Sequence, residues 1–211
     1  EYHRDYSRDS NSSLKLFRES VERYAAIRVY GSMETDPPTP AMELGTQLHA
    51  LVLEGVEALQ DQYAIGGPIN ERTGKPYGDD TKAFAEWFQD QGKARGMSAD
   101  RFKFLMAMRD GVMRNAFARQ AIEAIGSSEF RIDWDDPTTG LPLKMRADKV
   151  TSSGLIVDLK TTDDITPDAF GRTVFNFEYH CQAALYLAGA QTQGIGGPFV
   201  FVVVSKTPPH E

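Results

Sequence analysis

The chain has 211 residues, 41% hydrophobic and 25% charged, with a net charge of −7: enough for one domain with a sizeable core, and too acidic for a non-specific nucleic-acid coat. Its one cysteine, Cys181, excludes an internal disulfide and any four-cysteine zinc or iron–sulfur centre. No apolar run reaches bilayer length and no signal-peptide pattern opens the chain, so a cytoplasmic protein with no membrane partner is expected.

Ser12 and Ser13 are candidate caps for a first helix, with Leu14, Phe17, Val21 and Tyr24 on one stripe. Gly31 to Pro40 is proline-rich loop, and Pro40 starts a second helix that buries Leu44, Leu48, Leu51 and Val52. Residues 64–80 form an irregular, glycine-rich excursion. Helices resume near Thr81–Gln91 and from Ser98 to about Ile125, the latter broken near Asn115.

The pattern changes at Glu129. Phe130, Ile132 and Trp134 alternate with polar residues, residues 135–140 turn the chain, and Leu141–Val150 returns as a second strand. Leu155–Thr161 is a third strand, a polar loop leads to a helix at about Glu178–Ala190, and Phe199–Val204 reads as a buried strand. A helix between the third and fourth strands implies a crossover and a mixed sheet. The expected fold is α+β or α/β: a helical part over about 1–126 and a sheet-bearing core over about 127–211, within one domain spanning 1–211. With no initial Met and a stop just after a strand, the chain reads as a piece of something longer.

Chemistry concentrates in the hairpin of the second and third strands. Asp158 and Lys160, two apart on a strand, share a face. A turn at 151–154 pairs the strands around residues 150 and 155 and brings Asp148 within reach of Asp158. Leu155, Ile156, Val157 and Leu159 make a near-continuous apolar run, in which a charged residue is rare unless paired or holding a metal. Two carboxylates and an ammonium on one patch read as a divalent-metal site with a lysine beside it.

Other signals are weaker on their own. His49 reads as a core histidine, Glu129 as an exposed strand end, and Arg146 as an ion-pair partner sharing the face of Asp148. Gln182 and Tyr186, four apart on one helix, share a face. The glycines at 194–197 precede a strand instead of opening a helix, unlike a phosphate loop. His180 and Cys181, as helix neighbours, do not face each other as a catalytic pair would.

In order, Gly45–Glu54 with His49, Arg146-Ala147-Asp148, Val157-Asp158-Leu159-Lys160-Thr161-Thr162 and Tyr179–Tyr186 with Gln182 resemble the motifs of the PD-(D/E)xK nuclease superfamily, and of its RecE-like (exodeoxyribonuclease VIII-like) branch. Ala147 stands where the branch has proline. The resemblance implies a restriction-endonuclease-like core: a small mixed β-sheet flanked by helices, with a helical N-terminal half. It implies Mg²⁺, with Mn²⁺ as a substitute, held by His49, Asp148, Asp158, the Leu159 carbonyl and Glu129. Lys160 would serve the reaction, Gln182 would position it, and Tyr186 would contact the DNA strand. The implied activity is 5′-to-3′ exonuclease action on linear double-stranded DNA ends in phage-type recombination, with a single-strand annealing protein and a ring-shaped homo-oligomer as partners. A structure-specific or restriction-type endonuclease, or a non-cutting DNA-binding accessory domain, stays open beside it.

Overall fold

In the computed structural model, which describes Tyr2 and residues 5–210, the elements follow one another as α1 (Asn11–Glu19), α2 (Val21–Tyr24), α3 (Pro40–His49), α4 (Val56–Gln62), β1 (Tyr63–Gly66), α5 (Lys82–Gln89), β2 (Arg95–Ser98), α6 (Ala99–Arg114), α7 (Ala116–Glu123), β3 (Gly126–Asp135), β4 (Pro142–Thr151), β5 (Ile156–Thr162), α8 (Pro167–Asn176), α9 (Tyr179–Thr192) and β6 (Phe199–Ser205). Wider π turns, Ala25–Val29 and Ala50–Glu54, extend α2 and α3. The chain forms two compact units. One comprises Glu1–Thr39, Ala124–Asp158 and Thr166–Phe201; the other comprises Pro40–Glu123, Leu159–Ile165 and Val202–Glu211.

In the first unit, α1 starts one turn earlier than its serines suggest. Ser10 is the cap: its hydroxyl accepts the Ser13 N–H, and its own N–H donates to the Ser13 hydroxyl. Ser13 thus plays the third-position role of a capping box, which displaces the expected cap at Ser12 or Ser13. β3 and β4 pair antiparallel with Ile132 opposite Met145 and Trp134 opposite Leu143. These side chains, with Ala147, Val150 and Ile156, form a core to which α9 adds Tyr186 and Ala190. Gly189 makes that packing possible, because a Cβ there would lie 2.8 Å from the Trp134 ring.

The four strands form one sheet in the order β3-β4-β5-β6. β4 and β5 pair antiparallel through Lys149–Val157 and Val150–Ile156. The partner of Val150 is therefore Ile156, one residue on from the expected Leu155; Thr151 closes the turn by donating its N–H to the Leu155 carbonyl. Beyond that short ladder, the edge of β4 is taken by the N-terminal segment: Lys144 donates to the Asp9 carbonyl, and Asp9 to that of Pro142. Ile156 donates to the Pro198 carbonyl and, farther along, Lys206 donates to that of Thr162, so β5 and β6 run parallel. The sheet is mixed, as the crossover predicts. α8 lies in the stretch read from sequence as polar loop; between its apolar positions Phe170 and Val174 come Gly171, Arg172 and Thr173, which hide the period.

In the second unit, β1 and β2 pair parallel from Tyr63–Arg95 to Gly66–Ser98. Residues 64–80 thus open with a strand, against the expectation of an irregular excursion throughout. Four residues followed by Gly67-Pro68 are too few to show a period. The break between α6 and α7 falls at Asn115, whose side-chain oxygen accepts the N–H groups of Phe117 and Ala118. Leu48, Leu51, Leu59, Met97, Leu105 and Met108 are fully buried. Among the described residues no helix is long and apolar enough to cross a membrane.

Gly189→Ala should destabilise the protein by about 1–3 kcal/mol through overpacking against Trp134, a loss to be read from the midpoint of urea denaturation.

Candidate functional site

Two acidic residues face each other across the sheet of the first unit, and a third lies on the next strand. Ser128 pairs with Lys149 and Phe130 with Ala147, so Glu129 lies opposite Asp148. The β4–β5 ladder ends at Lys149–Val157, one residue short of Asp148 on β4 and of Asp158 on β5. Carboxylate oxygens of Glu129 and Asp148 come within 4.8 Å of each other. Glu129 adopts a left-handed backbone (φ 51°) inside its strand, an uncommon conformation for a non-glycine residue that costs about 1–3 kcal/mol. Arg146, two residues before Asp148, holds Glu129 in an ion pair, its Nε 2.8 Å from Oε2.

Asp158 is 1% exposed, between the fully buried Val157 and the nearly buried Leu159. Desolvating an ionised carboxylate costs several kcal/mol unless donors or cations compensate it. One donor is visible: Gln182 Nε2 gives a hydrogen bond of 2.7 Å to Asp158 Oδ1. One turn along α9, the Tyr186 hydroxyl donates to the Arg146 carbonyl at 3.0 Å. Burial pushes the Tyr186 phenol well above its usual range, with the hydrogen bond to Gln182 opposing that shift, so it stays a neutral donor. Gln182 and Tyr186 therefore brace the two strands that carry the aspartates.

In the second unit, the His49 ring Nε2 lies 2.8 Å from the carbonyl oxygen of Leu159, the residue that follows Asp158. His49 ends α3, just before the wide turn Ala50–Glu54. As a hydrogen bond, Nε2–H donates to the carbonyl. The same spacing suits two ligands on one ion, because neighbouring positions of an octahedral site with bonds near 2.1 Å lie about 3 Å apart. Lys160 follows on β5 with intermediate burial, on the face of Asp158 by strand alternation.

The carboxylates gathered in the first unit are hard oxygen donors, a chemistry that suits a divalent cation. Sequence reasoning did not foresee Tyr2, Asp5, Arg131 and Lys144. The Tyr2 ring lies 5.4 Å from the Arg131 guanidinium, 4.5 Å from the Lys144 ammonium and 4.9 Å from the Arg146 guanidinium. The signal was present in the spacing, since Lys144, Arg146 and Asp148 alternate along one strand and share a face.

The sequence matches the family described as "PDDEXK-like domain of unknown function (DUF3799)" over residues 10–211. Among solved structures, it is similar to that of a "putative exonuclease" from Eubacterium rectale, with a TM-score of 0.67 and 18% identity over 99% of this chain and 72% of that one. At that identity the likeness establishes the fold, a restriction-endonuclease-like core. No curated protein matches the chain.

Tyr186→Phe should cost about 1 kcal/mol, because the partly buried Arg146 carbonyl loses the Tyr186 donor. Thermal unfolding with unchanged far-UV circular dichroism is the measurement.

Proposed function

Because this chain belongs to the family of PDDEXK-like domains described as DUF3799, we propose that it is a divalent-metal-dependent deoxyribonuclease, and more narrowly an exonuclease that hydrolyses linear double-stranded DNA from its 5′ ends. The observation that supports this most is the near-complete burial of Asp158 on the strand next to the one that sets Asp148 opposite Glu129. A buried carboxylate beside other carboxylates is costly, and a cation relieves that cost.

In this reading Asp148 and Asp158 hold Mg²⁺, or Mn²⁺ in its place, with the Leu159 carbonyl and His49 as further donors and Glu129 available to a second ion. A cation so held polarises the scissile phosphate and lowers the pKa of a bound water. Lys160, two residues from Asp158, stabilises the negative charge that develops on the phosphate oxygens. Gln182 fixes the rotamer of Asp158 through its 2.7 Å hydrogen bond. Arg146 neutralises Glu129 and, through its carbonyl, ties β4 to Tyr186.

The 5′ polarity, a place in phage-type recombination, an annealing-protein partner and a ring-shaped oligomer rest on the RecE-like resemblance of the motifs alone. A ring would hold DNA topologically, which eases the objection from a net charge of −7.

The experiment is digestion of end-labelled linear duplex in Mg²⁺, with closed circular DNA in parallel. Linear DNA should be degraded and the closed circle spared; cutting of the circle would replace the exonuclease with an endonuclease of the same fold. Asp148→Asn and Asp158→Asn should abolish cleavage, whereas Lys160→Ala should retain metal binding and lose most turnover. Wild-type cleavage by Asp158→Asn would end the assignment. In calorimetric titration with Mn²⁺, His49→Ala should lower affinity about 10-fold or more; an unchanged isotherm would return His49 to a structural role.

A further inference from the structure

β4 presents Lys144, Arg146 and Asp148 along one face, and β3 sets Arg131 opposite Arg146. Each arginine already has a carboxylate on β3: Arg146 pairs with Glu129, and Arg131 binds Asp133 with its Nε 2.7 Å from Oδ1. Asp5 is a further anion, brought by the N-terminal segment from outside these strands. Its Oδ2 accepts from Arg131 Nη2 at 2.5 Å and lies 3.7 Å from Lys144 Nζ. Lys144 is 2% exposed and also donates to the carbonyls of Tyr2 and Asp5. A buried ammonium needs an anion, and a half-exposed guanidinium can share one. Hydrogen bonds from Ser7 and then Arg131 hold the Asp5 carboxyl well below the usual range, so it is ionised at all working pH values.

The placement matters as much as the charge. Two residues along a strand advance about 7 Å, so Arg146 stands one such step from Asp148 and Lys144 two. The distance between neighbouring phosphates of an extended nucleic-acid strand is comparable. An oxyanion bridging Arg131 and Lys144 is what a phosphate would do at that position.

We propose that Arg131, Lys144 and Arg146 form a binding site for a phosphate group of the nucleic-acid substrate, and that Asp5 of the chain itself occupies this site until substrate displaces it. The proposal rests on the nuclease reading for the identity of the strand, and on the cation cluster for the site. Asp5 is then a built-in competitor, and Tyr2, whose ring lies against all three cations, covers the same surface. The phosphate can be an internal diester or a terminal monoester, which share this chemistry.

The test is binding of a fluorescein-labelled duplex oligonucleotide in EDTA, read by anisotropy across a salt series, for the wild type, Asp5→Asn and Asp5→Asn/Arg131→Gln. Asp5→Asn should bind about threefold tighter or more, with the slope of log K against log salt steeper by about one, because one more phosphate now replaces counterions. The double variant should lose that gain. A gain confined to the 5′-phosphorylated duplex assigns the monoester; an equal gain with a 5′-hydroxyl duplex assigns the diester. An unchanged slope, or weaker binding with a lowered melting temperature, would overturn the site and leave Asp5 a structural ion pair. Cleavage assayed in parallel separates the two ideas. A wild type that cuts DNA while the slopes stay equal loses only the phosphate site. One that cuts nothing while Asp5→Asn steepens the slope loses only the nuclease.

Discussion

The burial of one carboxylate governs the candidate site. Asp158 sits in a strand whose neighbours are almost fully excluded from water, where an ionised group survives only if the fold supplies compensation. The visible part is the Gln182 amide, presented by a helix that packs closely because Gly189 leaves room for Trp134. Core packing and chemistry are thus coupled: the contact that seats α9 also delivers the donor to Asp158.

The same sheet shows how an acidic protein can gather several cations in one place, each beside an anion. Lys144, Arg146 and Arg131 lie beside Glu129 and Asp148 instead of opposing them from a distance. Alternation along β4 places cation, cation and carboxylate in sequence on one face. Net charge sums over the whole chain and conceals this order. A long-range field is weak here, but a strand laid along β4 would meet cations first and the acidic row next.

Much of this was legible beforehand, for identifiable reasons. Asp158 within Ile156–Leu159 was conspicuous because a charge interrupts an apolar run, and Asp148 followed from the hairpin. The registry was misjudged by one residue because the turn at 151–154 closes through Thr151 and Leu155, a detail of hydrogen bonding that composition does not encode. β1 and β2 were missed because each has four residues and its partner lies across α5. α8 was missed because Gly171, Arg172 and Thr173 interrupt its stripe. His49 could be singled out only by resemblance: one histidine on a helix has no periodic signature, and its contact with the Leu159 carbonyl joins residues 110 positions apart. The part played by Tyr2 and Asp5 was illegible altogether, since terminal residues carry no pattern to read.

The wide turn Ala50–Glu54, directly after His49, sets the angular phase of that imidazole. An ordinary helix advances about 100° per residue, whereas a π turn lodges one extra residue within the rotation. The imidazole and the buried Leu51 and Val52 that come after it are consequently held at two independent azimuths around the same axis. Insertions or deletions upstream of Pro40 would leave this phase untouched, but a single-residue deletion inside the turn would swing the ring by roughly a quarter of a revolution relative to the rest of the helix. Natural variation in length should therefore be tolerated on one side of the histidine and purged on the other.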